Sequence, residues 1–100
     1  MNFLKINFYY GTKDKVLRSN VFLWNPKSEM YYYMETKYVN FDNVVYIDEE
    51  SFEINCINQD SEAVTLVLHR IATLTKEVIV VTEDEYKRII DYITSGTLVI

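Results

Sequence analysis

The chain has 100 residues, of which 49% are hydrophobic, 15 are acidic and 10 are basic, for a net charge of −5. That length suits a single domain over residues 1–100, large enough to fold without disulfide or metal staples. The apolar fraction excludes a disordered chain, and the acidic balance makes nucleic acid an unlikely partner, because binding to phosphates relies on Lys and Arg releasing counterions.

Residues 2–10 place Leu4, Ile6, Phe8 and Tyr10 on one face and Lys5 and Asn7 on the other, the pattern of a half-buried strand. Gly11-Thr12-Lys13-Asp14-Lys15 reads as a hairpin loop. It leads to a second strand at about 16–24, in which Leu17, Val21 and Leu23 alternate with Arg18, Asn20, Phe22 and Trp24. Asn25-Pro26-Lys27-Ser28 ends that strand, since proline fixes φ and brings no donor to a ladder. The run from Met30 to Val39, with Tyr31, Tyr32, Tyr33 and Tyr38, is a third strand, turned by Asn40-Phe41-Asp42-Asn43. Val44–Ile47 is short and apolar and closes at Asp48-Glu49-Glu50-Ser51. Phe52–Ile57 is the cleanest alternation in the chain, with Cys56 on the side of Phe52 and Ile54. After a turn at Asn58-Gln59-Asp60-Ser61 come a strand at Val64–Leu68 and a last one at Val78–Val81, apolar on both faces and so expected inside the sheet.

At Thr82 the period changes. Thr82-Glu83-Asp84-Glu85 is a capping box, in which the Thr82 hydroxyl accepts from the Glu85 N–H and the Glu85 carboxylate reaches back. Val81 and Tyr86 are spaced for a hydrophobic staple, and Tyr86, Ile89, Ile90 and Ile93 recur at helical spacing. The spacing predicts a helix at 83–95 stopped by Gly96, with the apolar tail 97–100 adding an edge strand or docking in a partner. The fold class is therefore α+β and mainly antiparallel: a small bent sheet or barrel of about seven short, consecutively paired strands with the helix packed on it. This element order is similar to that of pleckstrin-homology-like domains, an analogy of order alone.

Catalytic chemistry has little to build on. His69, the single histidine, suits general-base work, but it also reads as a partly exposed imidazole at a strand end. Asp48-Glu49-Glu50 and Glu83-Asp84-Glu85 could pair carboxylates across a cleft, yet one is a polar turn and the other a helix start. Neither run has the spacing of a calcium loop, one Cys and one His cannot hold zinc, and two glycines cannot make a phosphate loop. No cofactor and no enzymatic activity are expected. The lone Cys56 reads as a buried, inert thiol in a reducing compartment. The start of the chain has no signal-peptide pattern and no run reaches the ~20 apolar residues of a membrane span, so a cytoplasmic location is expected.

Two surface features remain. Tyr31, Tyr33, Tyr38 and Trp24 are rigid amphipathic side chains of the kind that anchor interfaces, although β-packing with hydroxyls at the rim accounts for them equally well. Between Lys37 and Arg70 there is no basic residue, whereas seven acids fall there, among them Asp48, Glu49, Glu50 and Glu53. These form a solvated face, or a substitute for phosphates that occupies the basic groove of a nucleic-acid-handling protein. In size, charge and aromatic content the chain is similar to small acidic phage inhibitors such as anti-CRISPR proteins. Asn, Ile, Lys and Tyr make up 34 residues, all with A/T-rich codons, which points to a low-GC bacterial, phage or mobile-element source. The expectation is a non-catalytic protein-binding or inhibitory module that meets a basic partner through Trp24, Tyr31, Tyr33 and Tyr38 together with Asp48, Glu49, Glu50 and Glu53. The alternatives are single-stranded nucleic-acid binding on the side of Lys5, Lys13, Lys15 and Arg18, where aromatics accompany the cations, and homo-oligomerisation.

Overall fold

The structure, a computed structural model, describes residues 3–15, 21–75 and 78–99, the last five by their backbone alone. The elements are β1 (Phe3–Thr12), β2 (Leu23–Asn25), β3 (Met30–Asn40), a 3-10 turn (Phe41–Asn43), β4 (Val44–Ile47), β5 (Phe52–Asn58), β6 (Ala63–Thr73), β7 (Val78–Thr82) and α1 (Glu83–Val99). All pairings are antiparallel, in the order β4-β6-β5-β2-β3-β1-β7, and β7 also pairs with β6. Six strands thus close into a barrel, β4 is added outside it, and one C-terminal helix packs alongside. The expected mainly antiparallel fold with its C-terminal helix is the one observed.

Period-two alternation divides the apolar side chains into two cores. Inside the barrel lie Tyr9, Leu23, Tyr32, Phe52, Ile54, Cys56, Leu66, Leu68 and Val80, drawn from all six of its strands. On the outer face Ile6, Phe8, Ile71, Ile79 and Val81 pack beneath Ile89 and Tyr86 of α1 and against Phe41, Val44 and Ile47. Each fully buried aliphatic side chain contributes roughly 1.5–3 kcal/mol, and Ile6, Leu68, Ile71, Val81 and Ile89 are all at or below 1% exposure.

Several local expectations are corrected. β1 runs on through Gly11 to Thr12, so Gly11 is a strand residue, and β1 pairs with β3 over its whole length instead of forming a hairpin with β2. Gly11 suits a close approach: a Cβ there would come within 2.7 Å of Met30 Cε and 3.1 Å of a Tyr32 ring carbon. Of the strand expected at 16–24, Leu23 and Trp24 are found in β2, which runs on to Asn25; Val21 and Phe22 are not strand, and 16–20 lies outside the described residues. Asp48–Ser51 does not reverse the chain. β4 and β5 run in the same direction along one edge of β6, opposite Ile71–Thr73 and Ala63–Leu68, so the four residues form a jog in one interrupted strand.

β6 itself continues past Leu68 to Thr73, because its two polar residues are both accommodated. Arg70 lies 4.5 Å over the Phe52 ring, and His69 stacks on Tyr86 with ring centroids 3.8 Å apart. At the chain end α1 passes through Gly96 to Val99. A helical glycine costs about 1 kcal/mol but ends a helix only when it turns left-handed, so residues 97–99 are helix and not an edge strand. Ile100 lies outside the described residues.

Only half of the capping box forms as expected. Glu85 N–H donates to Thr82 Oγ1 at 3.4 Å, but the Glu85 carboxylate turns to the barrel seam. There β1 meets β7 at a single residue pair, Tyr9 with Val80, before β7 gives way to helix. Beyond that pair the exposed edge of β1 is taken by side chains of α1. Asn7 N–H donates to Glu85 Oε2 at 2.6 Å, Arg88 donates to the Lys5 carbonyl at 2.5 Å, and Arg88 also binds the Glu85 carboxylate through two nitrogens at 2.7 and 2.9 Å. The Arg88 hydrogen bond, helped by Asn7 N–H, holds the Glu85 carboxyl below its ordinary value against the opposing effect of burial.

Replacing Glu85 by Gln, or Arg88 by Met, is expected to cost about 1.5–3 kcal/mol, the range of hydrogen bonds to charged groups, read as a lowered midpoint in urea. Because the folded value is depressed, the Glu85 contribution is complete above the ordinary glutamate pKa of about 4.3 and is lost as pH falls through the folded value. The stability gap between the parent and Glu85→Gln should therefore be widest near neutrality and close in acid. A gap unchanged from pH 7 to pH 3 would contradict this account.

Candidate functional site

On the outer face of β2 and β3 the alternation brings aromatic rings into one strip. Trp24 and Tyr31 are cross-strand partners with centroids 4.5 Å apart, the distance at which direct neighbours on one face meet. Phe22 meets Tyr31 edge-on at 5.6 Å, Tyr31 lies 6.4 Å from Tyr33, and Tyr33 stacks on its own cross-strand partner Tyr10 at 5.7 Å. Trp24 and Tyr31 are half-buried, whereas Tyr33 is only 2% exposed, so Tyr33 backs the strip and does not present a ring for contact. Phe22 joins on the face it shares with Trp24, as the alternation of 16–24 implies, whereas Tyr10 joins without a signal in the local sequence. The membership of Tyr10 depends on the β1–β3 register, which composition does not reveal.

The strip continues onto β5. Trp24 pairs with Ile57, which is 40% exposed, and Asn55 and Glu53 follow on the same face, both exposed. Thr65 on β6 donates to Asn55 Oδ1 at 2.9 Å and fixes that part of the surface. Glu53 thus shares a face with the aromatics, about four residues or ~13 Å from Ile57 at ~3.3 Å per residue. Asp48, Glu49 and Glu50 stand farther off in the jog at the other end of β5, where Glu49 and Glu50 are exposed and Asp48 is half-buried. The Asp48 carbonyl is 3.0 Å from His69 Nδ1, and its N–H donates to the Arg70 carbonyl at 2.8 Å. Tyr38, 70% exposed, lies far along β3 on the opposite face, with Lys5 Nζ 6.0 Å from its ring. The expected surface is therefore divided: Trp24, Tyr31 and Glu53 share a face, the acidic jog lies at its end, and Tyr38 is apart.

The candidate basic side is divided as well. Lys15 lies 4.9 Å over the Phe22 ring beside the strip, Lys5 faces Tyr38 on the other side, and Arg18 is outside the described residues.

An open cleft of about 650 Å³ adjoins the strip at Tyr10. Phe8, Val39 and Ile79 give it an apolar floor, and Asn43 and Thr75 stand among its polar lining. Its charged lining residues, Glu35 and Lys37, are paired with each other at 3.1 Å. His69 is not in this lining. It sits 3% exposed within β6, stacked on Tyr86, a buried side chain in place of the partly exposed strand end expected. Among the described residues no three His, Cys, Asp or Glu side chains converge as metal ligands, and no helix is long and apolar enough to cross a membrane.

Cys56 lies 2% exposed inside the barrel, where burial pushes its thiol up and away from the reactive thiolate. Burial, together with Cys56 itself, raises the Tyr9 hydroxyl as well. A thiol reagent such as dithionitrobenzoate should label Cys56 only as fast as the barrel opens, with full reaction in denaturant. Stoichiometric labelling of the native protein within seconds would refute the inert assignment. Compared with protein-family models, curated proteins and solved structures, the chain finds no match.

Proposed function

We propose that the protein is a non-catalytic protein-binding or inhibitory module, encoded in a low-GC bacterial, phage or mobile-element genome. The observation that carries this reading is the outer strip in which Trp24 packs on Tyr31, continued by Ile57 and bordered by Glu53. Partly exposed rings already fixed by their neighbours give up little entropy on contact, and such aromatics supply most of the affinity at small interfaces. Glu53 and the jog Asp48-Glu49-Glu50 add a negative border that guides a basic partner and sets the on-rate more than the final affinity. A basic, nucleic-acid-handling protein is the partner class this border suits best.

The nucleic-acid reading retains one favourable contact, Lys15 over Phe22 beside the strip. It is disfavoured by the net charge and by the position of Lys5 on the other face. An oligonucleotide shift assay at low salt distinguishes it, since retention of single-stranded DNA would favour this reading over the first.

The test is capture by the tagged protein from a lysate of the source cells, or of the host for a phage gene, at low and high salt. A protein partner should be retained by the parent and by Tyr33→Phe. Trp24→Ala or Tyr31→Ala should weaken its binding by about 2 kcal/mol, the threshold of an interface hot spot. Charge reversal at Glu53 should chiefly slow association. Capture of no protein, with the chain itself running as a defined oligomer, would replace this reading with self-assembly.

A further inference from the structure

β6 outruns the barrel. Its last residues, Ile71–Thr73, have β4 along one edge, and β7 pairs along the other as far as Ala72, so β4, β6 and β7 continue beyond β5 as a small three-stranded sheet. One face of this sheet is covered, with Ile71, Ile79, Val44 and Ile47 packed in the core shared with α1. The opposite face carries the row Tyr46–Ala72–Val78, which the register places side by side across the three strands. Tyr46 is 50% exposed, Val78 53%, and Leu74 at the end of β6 66%. Among the described residues β4 is the outermost strand and pairs only with β6. Its sequence, Val44-Val45-Tyr46-Ile47, has high β-propensity and contains no charge and no proline, the residues that usually blunt an edge.

We propose that the β4 edge receives an extended segment of a partner protein as an added strand. The segment has apolar side chains at alternate positions, which lengthen the Tyr46–Ala72–Val78 row, and Lys or Arg at its ends. This inference rests on the protein-binding reading and supplies it with a mode of contact. Charge selects the occupant. Asp42 precedes β4, and Asp48, Glu49 and Glu50 follow it. A second copy pairing antiparallel on this edge would set Asp42 of one chain against the acidic triplet of the other, and like charges facing each other across strands are destabilising. Basic ends on the incoming strand reverse that sign. The ladder on offer is short and carries a bulge between Val44 and Tyr46. Backbone bonds therefore fix register, while the row of side chains and the charged ends supply the affinity.

Three fluorescent peptides test this on the intact protein. The first, Lys-Lys-Val-Thr-Val-Thr-Val-Lys-Lys, has the proposed chemistry. The second replaces its lysines by glutamates, and the third replaces its core by glycine and serine. The first should bind, slow amide exchange at Val45–Ile47 and give higher anisotropy than the other two, with affinity about tenfold or more above either. Glu49→Lys with Glu50→Lys, both exposed, should remove most of that preference, and Tyr46→Lys should weaken binding without unfolding the chain. Gln59→Ala, in the exposed turn between β5 and β6, should leave it unchanged. Amides at 44–47 that exchange equally fast with saturating peptide, equal binding of the glycine-serine peptide, or a concentration-dependent dimer protecting the same amides would each overturn the proposal. If capture still depends on Trp24 and Tyr31 while the peptides fail, only the added strand falls. If nothing is captured, the protein-binding reading itself falls.

Discussion

The barrel depends on how its seam is closed. β1 and β7 share one backbone pair, Tyr9 with Val80, and a lone pair cannot hold two strands together against the entropy of ordering them. Val81 and Thr82 still belong to β7, yet the ladder with β1 stops at Val80, and from Glu83 the chain is helical. The first turns of α1 complete the job chemically: a carboxylate takes the Asn7 N–H and a guanidinium gives to the Lys5 carbonyl. Because Glu85 and Arg88 are three residues apart on one helix face, they bind each other while binding the strand, so neither charge is left alone near the core. Helix docking and barrel closure are thereby a single event.

The long strand β6 organises everything else. Along one edge it holds first β5 and then β4, and along the other it holds β7. One strand therefore spans the inner core, through Leu66 and Leu68, and the outer core, through Ile71. His69, at the crossing point, is fixed by the Tyr86 ring and the Asp48 carbonyl, which couples the helix to the acidic jog through a single buried side chain. The cost of that arrangement is a buried Nε2 with no hydrogen-bond partner among the described residues.

Much of this was legible in the residues. The alternation of Phe52–Ile57 placed Ile54 and Cys56 inside, and the Thr82–Glu85 pattern located the helix start. What local patterns could not supply was partner choice. Nothing within residues 2–24 says that β1 pairs with β3 and not β2, since alternation gives a face and never a neighbour. Tyr33 illustrates the result for the site: its face was readable, but its burial follows from Tyr10 across the ladder and Tyr31 beside it. Glu85 shows a second kind of limit. A capping box and a tertiary hydrogen bond compete for one carboxylate, and the nearby Arg88 and open strand edge win it. The acids at 48–53 are neighbours in sequence, but Asp48, Glu49 and Glu50 lie in the jog before β5 and only Glu53 lies on the strand beside the aromatic face.

The seam also has a bearing on the order in which the chain can fold. β1 finds β3 within the first 40 residues, so that ladder can form early, during synthesis, with one edge unclaimed. The groups that claim it, Val80, Glu85 and Arg88, follow 71 to 83 residues later than their partners on β1 and so emerge well after it. Until they arrive, an apolar ladder with open backbone bonds waits as a template for any other strand, the circumstance in which nascent β proteins aggregate. A chain cut short before Arg88 would stay in that condition, so the first turns of α1 guard β1.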